Sequence, residues 1–248
     1  MNFENAVKEY ISYAKTYDLT NPELMSEFHH THRVVDYAKD IAISEGLSNE
    51  DVDLAKLCAL LHDIARYKQQ TDYKTYLDIR SFDHGDEAVN ILKKNNYIDK
   101  YTTDKESQNI IFKAIKNHNK LKIENGLSER EELFAKILRD ADKLDKMKEK
   151  GNTINGVIVL NVDYIKPFKE RRLYQNHGVT GEYEVTLRLL AFVYDMNFKY
   201  SYEFVLNNNI IQDKIRLIMG HSNSIAILEY VEKLLLEYVN ERIEDLSK

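Results

Sequence analysis

Apolar residues recur along this chain at the three- and four-residue spacing that is typical of amphipathic helices. The spacing predicts successive helices over residues 5–17, 26–45, 84–95, 105–116, 128–147, 182–196, 200–206, 213–219 and 222–246. Only two prolines and eight glycines occur in 248 residues, and this scarcity also favours helices. We expect an all-α protein of one domain over residues 1–248, with the last third of the chain packed onto the first two thirds. Residues 157–160 fit a short strand or a helical turn equally well.

One stretch, residues 54–66, departs from the amphipathic pattern. Apart from Lys56, every residue from Leu54 to Leu61 is apolar or small, so we expect a helix that is buried on nearly all sides. His62 and Asp63 follow directly. A buried carboxylate without a partner is costly, so Asp63 needs a nearby cation or a proton. Adjacent helical residues point about 100° apart, which allows the pair to flank one ion. A polar, tyrosine-bearing loop over residues 67–82 follows, placed to form a lid or rim.

Two further helices place a polar group within or after an apolar stripe. His30 precedes the apolar stripe of the second predicted helix, and Asp142 follows the apolar face of the helix that begins at Ser128. With His62 and Asp63 they form a mixed nitrogen and oxygen donor set, which suits Mn, Fe, Co, Ni or Zn and accepts Mg less readily. A metal with an open position can lower the pKa of bound water from about 15.7 to roughly 7.

Three motifs in this order resemble the HD-domain superfamily of metal-dependent phosphohydrolases. The motifs are His30-Thr31-His32-Arg33-Val34, His62-Asp63-Ile64-Ala65-Arg66 and Asp140-Ala141-Asp142-Lys143-Leu144-Asp145. The resemblance covers roughly residues 22–150 and implies an all-helical HD core in which His30, His62, Asp63 and Asp142 bind a divalent metal. The neighbouring His29 and His32 are then expected at the surface or behind the ligands. Residues from about 151 to 248 are then a helical C-terminal extension, and they match no motif with an assignable role.

Some members of this family hold two metals and use additional histidines between the His-Asp doublet and the final aspartate. His84 and His118 lie in that interval. Where the two-metal pattern has a pair of histidines, this chain has His118-Asn119, so the match is partial. His84 and His118 are either ligands of a second metal or acid-base groups and phosphate contacts.

Charged residues beside the motifs suggest supporting roles. Arg33, Arg66 and Lys143 are candidates to neutralise the phosphate oxygens of a substrate, and guanidinium groups suit this task. The alternative for each is an ordinary ion pair with a local acid. We expect Asp145 to orient a ligating histidine, a function that metal sites commonly need. His177 and His221 lie in polar stretches with glycine and are expected at the surface or at helix caps.

Composition narrows the class of partner. The formal net charge is −6, which argues against a nucleic-acid coat but leaves room for a local basic pocket that binds a small anion. The single Cys58 excludes an internal disulfide. The N-terminus lacks the basic start and apolar run of a signal peptide, and no apolar run approaches the length of a membrane span. We therefore expect a cytoplasmic protein without a membrane partner. The apolar stripe of residues 222–246 predicts core packing or the face of a homodimer.

Three functions fit this sequence. The first is a phosphohydrolase that uses metal-activated water on a nucleotide or another small phosphorylated molecule, with His84 or His118 relaying a proton to the leaving group. The second is a di-iron oxygenase of the same fold, which needs His84 and His118 as ligands of a second iron. The third is a non-catalytic nucleotide-sensing module, which the complete ligand set disfavours.

Overall fold

The computed structural model of this chain describes residues 2–149, 160, 164–174 and 182–248. Within these ranges the regular structure consists of α-helices and short 3-10 helices, with no β-strand. The predicted all-α class is therefore confirmed. Apart from Leu160, the segment predicted as a strand or a helical turn lies outside the described residues, and so does His177. None of the described helices is both long enough and apolar enough to cross a membrane.

The chain divides into two compact units, and the first spans Met1–Asp142. It holds six helices and most of a seventh, which continues beyond it. They are α1 (Phe3–Ala14), α2 (Pro22–Ser44), α3 (Asn49–Leu61), α4 (Arg66–Tyr73), α5 (His84–Lys93), α6 (Lys105–His118) and α7 (Glu129–Lys148). Short 3-10 helices cover Asp78–Arg80 and Lys94–Lys100.

Helix α3 is the centre of the first unit. It packs against α1, α2 and α6, and its residues from Leu57 to Leu61 are at most 1% exposed. This burial on all sides explains the absence of a polar face in the sequence. The helix nevertheless ends earlier than predicted, because His62 is its C-cap and residues 62–65 form a turn into α4. The His-Asp doublet therefore lies at a helix end, where the chain changes direction.

Two further differences from the prediction have local causes. Helix α2 begins at Pro22 rather than at the predicted residue 26, since the Asn21 side chain accepts a hydrogen bond from the Glu23 N–H at 2.9 Å. Proline is suited to the first helical turn, where no intrahelical partner for its nitrogen is needed. The expected loop over residues 67–82 contains α4, whose buried face consists only of Tyr67 and Gln69. So short a stripe leaves no clear periodicity.

Side chains cap the N-termini of α5 and α7. Asp83 accepts a hydrogen bond from the Asp86 N–H at 3.0 Å, which starts α5 at His84. Ser128 and Glu131 form the reciprocal capping box: the Glu131 N–H donates to Ser128 Oγ at 3.3 Å and the Ser128 N–H donates to Glu131 Oε2 at 2.7 Å. These caps set where the helices that carry His84 and Asp142 begin.

The second unit spans Lys143–Lys248. Its helices after the end of α7 are α8 (Lys166–Lys169), α9 (Glu182–Leu190), α10 (Lys199–Asn207), α11 (Ile210–Met219) and α12 (Ile225–Asp245). Helix α12 packs against α8, α10 and α11, and its stripe of Leu228, Val231, Leu235 and Val239 is buried. The sequence predicted either core packing or a dimer face for this helix, and the buried stripe shows core packing. A homodimer and the predicted one-domain organisation with a boundary near residue 150 stay predictions.

Candidate metal site

Four predicted ligand residues of the first unit meet in the interior. His30 comes from α2, His62 and Asp63 from the turn after α3, and Asp142 from α7. The Nε2 atom of His30 lies 3.2 Å from Asp142 Oδ1 and 3.7 Å from Asp63 Oδ2. The Nε2 atom of His62 lies 3.2 Å from Asp63 Oδ2 and 3.8 Å from Asp142 Oδ1. All four residues are at most 7% exposed. We call this group the first cluster.

A second cluster forms on the other side of Asp63. The Oδ1 atom of Asp63 lies 3.5 Å from His84 Nε2 and 3.4 Å from His118 Nε2. The two Nε2 atoms are 3.0 Å apart, and both histidines are buried. Asp63, His84 and His118 thus offer one ligand atom each within reach of a single ion. Asp63 lies between the two clusters and presents one carboxylate oxygen to each.

Hydrogen bonds on the outer ring nitrogens determine which atoms face inward. His62 Nδ1 donates to the Ala59 carbonyl at 2.7 Å, and His118 Nδ1 donates to the Ile115 carbonyl at 2.6 Å. His84 Nδ1 bonds a carboxylate instead, Asp78 Oδ2 at 2.7 Å. A carbonyl only accepts, so Nδ1 carries the proton, and the Nε2 atom of the neutral ring presents a lone pair. This orientation is the one that metal-ligating histidines adopt.

The close approach of His84 and His118 needs a positive charge to be favourable. Two neutral imidazoles with Nδ1–H would direct two lone pairs at each other across 3.0 Å. Burial lowers the pKa of His118 to about 4 and also lowers the pKa of His84. Neither ring therefore carries a second proton at neutral pH that could bridge the two Nε2 atoms. Metal–nitrogen bonds of about 2.1 Å at right angles place two nitrogens about 3 Å apart. The donor set therefore fits a divalent cation.

The charge of the first cluster supports the same conclusion. Burial raises the pKa of Asp63, but His62, Arg66 and His118 outweigh it and hold that pKa well below its ordinary value. Burial lowers the pKa of His62, yet Asp63 and Asp142 outweigh it and raise the pKa to about 9. Asp63 Oδ1 and His62 Nε2 are buried atoms that make no hydrogen bond of good geometry within the described residues. Such atoms are expected where an ion belongs.

Asp78 is a supporting residue that the sequence did not reveal. Its carboxylate holds His84 and also accepts hydrogen bonds from Gln69 Nε2 at 3.0 Å and Asn119 Nδ2 at 3.2 Å. Arg66 Nη1 lies 3.4 Å from Asp78 Oδ1. Although partial burial raises the pKa of Asp78, the His84 hydrogen bond and the Arg66 charge lower it below its usual range. A carboxylate fixed in this way sets the ring orientation of its histidine.

Asn119 occupies the position of the second histidine of the two-metal pattern, and it lies behind the ligands. Its Nδ2 donates to Asp83 Oδ1 at 3.0 Å as well as to Asp78. Gly85 makes this packing of α5 on α6 possible. A Cβ at Gly85 would lie 2.7 Å from Asn119 Oδ1 and 3.0 Å from the Ile115 carbonyl. The absent side chain lets His84 approach His118.

Arg139 fixes the loop that follows His118. Its buried guanidinium donates through Nη1 to the carbonyls of Asn117 at 2.7 Å and Lys120 at 2.6 Å, with the His118 carbonyl at 3.4 Å. A cation at these carbonyls complements the C-terminal end of α6. Arg139 lies three residues before Asp142, so one helix supplies a first-cluster residue and fixes the end of the helix that supplies His118.

Glu27 is another acidic group near the first cluster. It precedes His30 by one turn of α2, and its Oε1 atom is buried without a hydrogen bond among the described residues. Burial, followed by the charge of Asp63, raises the pKa of Glu27 to about 7.

No motif marked Glu27, Asp78 or Arg139. The one available signal was Gly85, because a glycine inside a helix often marks a close approach of backbones.

The predicted phosphate contacts stay predictions. Arg66 Nε lies 3.6 Å from Asp63 Oδ1, and its Nη1 donates to Gln69 Oε1 at 2.7 Å and to the Tyr76 carbonyl at 2.8 Å, so the structure gives it intramolecular partners. Arg33 lies one turn after His30 and is half-buried. Lys143 and Asp145 follow on α7 in the second unit, where both are buried and Lys143 Nζ lies 2.6 Å from Asp195 Oδ2. The orienting role of Asp145 is likewise a prediction.

A comparison with models of known families agrees with the motifs. Residues 28–147 match the family model of the HD domain, so the resemblance noted from the sequence is confirmed. This match supports a metal-dependent hydrolase. Among solved structures, the chain is similar to the crystal structure of a predicted HD superfamily hydrolase from an uncultured Thermotogales bacterium. The two are 21% identical, the alignment covers 86% of this chain and 99% of the other, and the TM-score is 0.42. No curated protein matches this sequence.

Proposed function

Residues 28–147 of this chain match the HD domain, and we propose that the protein is a phosphohydrolase that releases phosphate from a small phosphoester. The observation that carries the proposal is the position of Asp63. One of its oxygens faces His62 at 3.2 Å and the other faces His118 at 3.4 Å. A carboxylate between two sets of imidazoles supplies ligands for two adjacent divalent ions, an arrangement that suits phosphoryl transfer to water.

Each residue then has a defined task. His30, His62, Asp63 and Asp142 would hold one ion, and Asp63, His84 and His118 would hold a second. A divalent cation, when bound, stabilises charge on phosphoryl oxygens and lowers the pKa of a coordinated water to about 7. Asp78 keeps the proton of His84 on Nδ1, so that Nε2 stays available. Metal analysis of the purified protein distinguishes among Mn, Fe, Co, Ni, Zn and Mg as the bound ion.

Proton transfer can use the same imidazoles if one ion alone is bound. With the first cluster filled, His84 Nε2 and His118 Nε2 are neutral acceptors beside the site, because burial lowers both pKa values. His84 could take on Nε2 the proton that the attacking water loses, while Asp78 stabilises the resulting imidazolium. It can then donate that proton to the leaving-group oxygen, as general acids do.

The substrate class that we propose is a nucleotide or another small phosphorylated molecule. Guanidinium groups pair well with phosphate oxygens, and Arg33 and Arg66 both follow first-cluster histidines within four residues. The chain as a whole is acidic, with a net charge of −6. A small anion that reaches a local cationic site is therefore a better candidate than a polyanion.

The test combines metal analysis with turnover. Purified protein is assayed for bound metals and for phosphate release from a panel of nucleoside monophosphates and sugar phosphates, with each divalent metal added in turn. Asp63→Ala is expected to lose bound metal and at least about 100-fold in rate. The matched control is Asp53→Ala, an acid of α3 whose carboxylate pairs with Lys56 at 2.7 Å. Full activity in Asp63→Ala would refute the proposal.

A di-iron oxygenase is the second candidate, and the second cluster is the observation that favours it. This chemistry needs two irons, and Asp63, His84 and His118 supply a place for the second. Iron-loaded protein that consumes oxygen and releases no phosphate from the panel would select this function. One metal per chain, or phosphate release without oxygen uptake, would select the hydrolase.

A further inference from the structure

A cavity of about 400 Å³ lies in the first unit, apart from the metal site. Its described lining residues include no member of either cluster. The volume lies in the range of small-molecule sites, about 300–1,000 Å³. Helices α1, α4 and α5 and the 3-10 helix Lys94–Lys100 supply the lining. Neither the sequence motifs nor the proposed hydrolysis gives this cavity a function.

One wall of the cavity is made of tyrosine rings that are held in place. Tyr13 donates its hydroxyl to the Ile64 carbonyl at 3.2 Å, and its oxygen is 3.1 Å from the Tyr17 hydroxyl. The ring centroids of Tyr13 and Tyr97 are 6.0 Å apart. Tyr17 also packs against Tyr67, at 5.5 Å between centroids. Rings that are fixed before binding lose little entropy when a planar ligand stacks on them.

Polar groups of several kinds line the rest of the cavity. Lys94 is exposed and makes no ion pair within the described part of the chain, while Lys68 lies 3.1 Å from Asp72. Glu87 accepts a hydrogen bond from Asn90 at 3.2 Å. Two lysines suit a phosphate, amides suit the edge of a base, and a carboxylate suits the hydroxyls of a ribose.

The backbone at the rim adopts an uncommon conformation. Asn95, which lines the cavity, has φ 53°, and the next residue, Asn96, has φ 54°. Left-handed conformations at consecutive non-glycine residues are unfavourable, although asparagine tolerates them best. Backbone strain of this kind is concentrated at ligand sites and switch regions. Here it ends α5 and places Asn95 beside Lys94 at the cavity.

We propose that this cavity binds a mononucleotide, with the base on the tyrosine wall, the phosphate on Lys94 and Lys68, and the ribose hydroxyls on Glu87. Each group of the ligand has a matching partner in the lining, and an inorganic phosphate or a bare aromatic ring would use only part of it. The site is separate from the metal clusters but connected to them, because Tyr13 bonds the carbonyl of Ile64, the residue after Asp63.

The test is calorimetric titration of adenosine 5′-monophosphate into the full chain, with adenosine, ribose 5-phosphate and inorganic phosphate as separate arms. Saturable binding with a Kd below about 1 mM is expected for the nucleotide. Binding that is at least about tenfold weaker is expected for each of the other three. Equal binding of inorganic phosphate would overturn the assignment, and so would the absence of saturation.

Two matched substitutions locate the binding. Lys94 is exposed, and Lys94→Glu reverses a charge at the cavity. The substitution should therefore weaken nucleotide binding at least about tenfold. Lys93→Glu is the control, because Lys93 lies over the Phe112 ring at 4.9 Å and not in the cavity lining. Tyr17→Ala should weaken binding by a similar factor through lost stacking.

The metal site needs its own control, because it too is proposed to accept phosphates. In Asp63→Asn protein the nucleotide should still bind, since Asp63 does not line the cavity. If Asp63→Asn abolishes binding and Lys94→Glu leaves it unchanged, the nucleotide occupies the metal site alone and the inference is wrong. Because Asp63→Asn removes the proposed hydrolysis as well, titrations of that variant measure nucleotide binding alone.

Discussion

Asp78 and His84 are joined by a hydrogen bond of 2.7 Å between carboxylate and Nδ1. This contact lies behind the second cluster and fixes the direction of His84 Nε2. Asp78→Asn keeps the size of the side chain but removes its charge. Loss of a residue that hydrogen-bonds to a metal ligand commonly weakens metal binding by about 10- to 100-fold. We expect the second ion to bind about 10- to 100-fold more weakly, while binding of the first is retained.

Metal titration followed by calorimetry checks the Asp78 prediction, because the two ions should appear as two steps. Asp72→Asn is a suitable control, since Asp72 pairs with Lys68 at 3.1 Å on the exposed side of α4. Two unchanged steps in Asp78→Asn would show that His84 does not depend on this carboxylate.

Gly85→Ala tests whether the close packing of α5 on α6 creates the second cluster. The new Cβ would lie 2.7 Å from Asn119 Oδ1 and 3.0 Å from the Ile115 carbonyl, and one of these contacts is to backbone. The helices must separate, which moves His84 from His118 and costs about 1–3 kcal/mol of stability. Metal stoichiometry should fall from two toward one. Gly220→Ala is the control, because its Cβ would meet nothing closer than 3.7 Å.

The sequence predicted what depends on periodicity and local chemistry. Helices α5 and α7 form close to their predicted bounds of 84–95 and 128–147, and the ligand motifs do meet in the interior. The sequence did not predict the residues that orient the metal ligands through hydrogen bonds. Asp78 lies in a polar segment without periodicity, and its value arises only because the chain folds back to place it against His84. Asn119 was noticed as a departure from the two-metal pattern, but its hydrogen bonds to Asp78 and Asp83 depend on three segments at once.

The position of the His-Asp doublet gives the same lesson. The predicted helix includes His62 and Asp63, yet α3 ends at Leu61. The turn is stabilised by tertiary contacts, including the Tyr13 hydroxyl on the Ile64 carbonyl, and these join residues more than fifty positions apart in sequence. Local propensity carries no information about such contacts.

Arg139→Ala should destabilise the protein strongly. The substitution removes a buried cation from three backbone carbonyls, which would be left without that donor at the end of α6. We expect the free energy of unfolding to fall by about 3 kcal/mol, measured by urea denaturation. Arg130→Ala on the same helix is the control. Its ion pair with Asp51 is exposed, so the loss should stay below about 1 kcal/mol. Equal losses in the two variants would contradict the role of Arg139.

In metal-free protein His62 and His118 each contribute a limb to the pH dependence of stability, one on each side of pH 6.5. His62 has a pKa of about 9 in the folded chain against 6.5 ordinarily, so its stabilising contribution is complete below pH 6.5 and is lost as the pH rises to about 9. His118 has a folded pKa of about 4. The unfolded chain therefore takes up a proton that the folded chain refuses, and stability falls as the pH drops from 6.5 toward 4. Each limb has a slope of up to about 1.4 kcal/mol per pH unit. Thermal denaturation of chelator-treated protein measures both limbs. His62→Gln should flatten the alkaline limb and His118→Gln the acidic one. A midpoint temperature of unfolding that climbs steadily from pH 6.5 to 9 would show that His62 is not held as an imidazolium by Asp63 and Asp142.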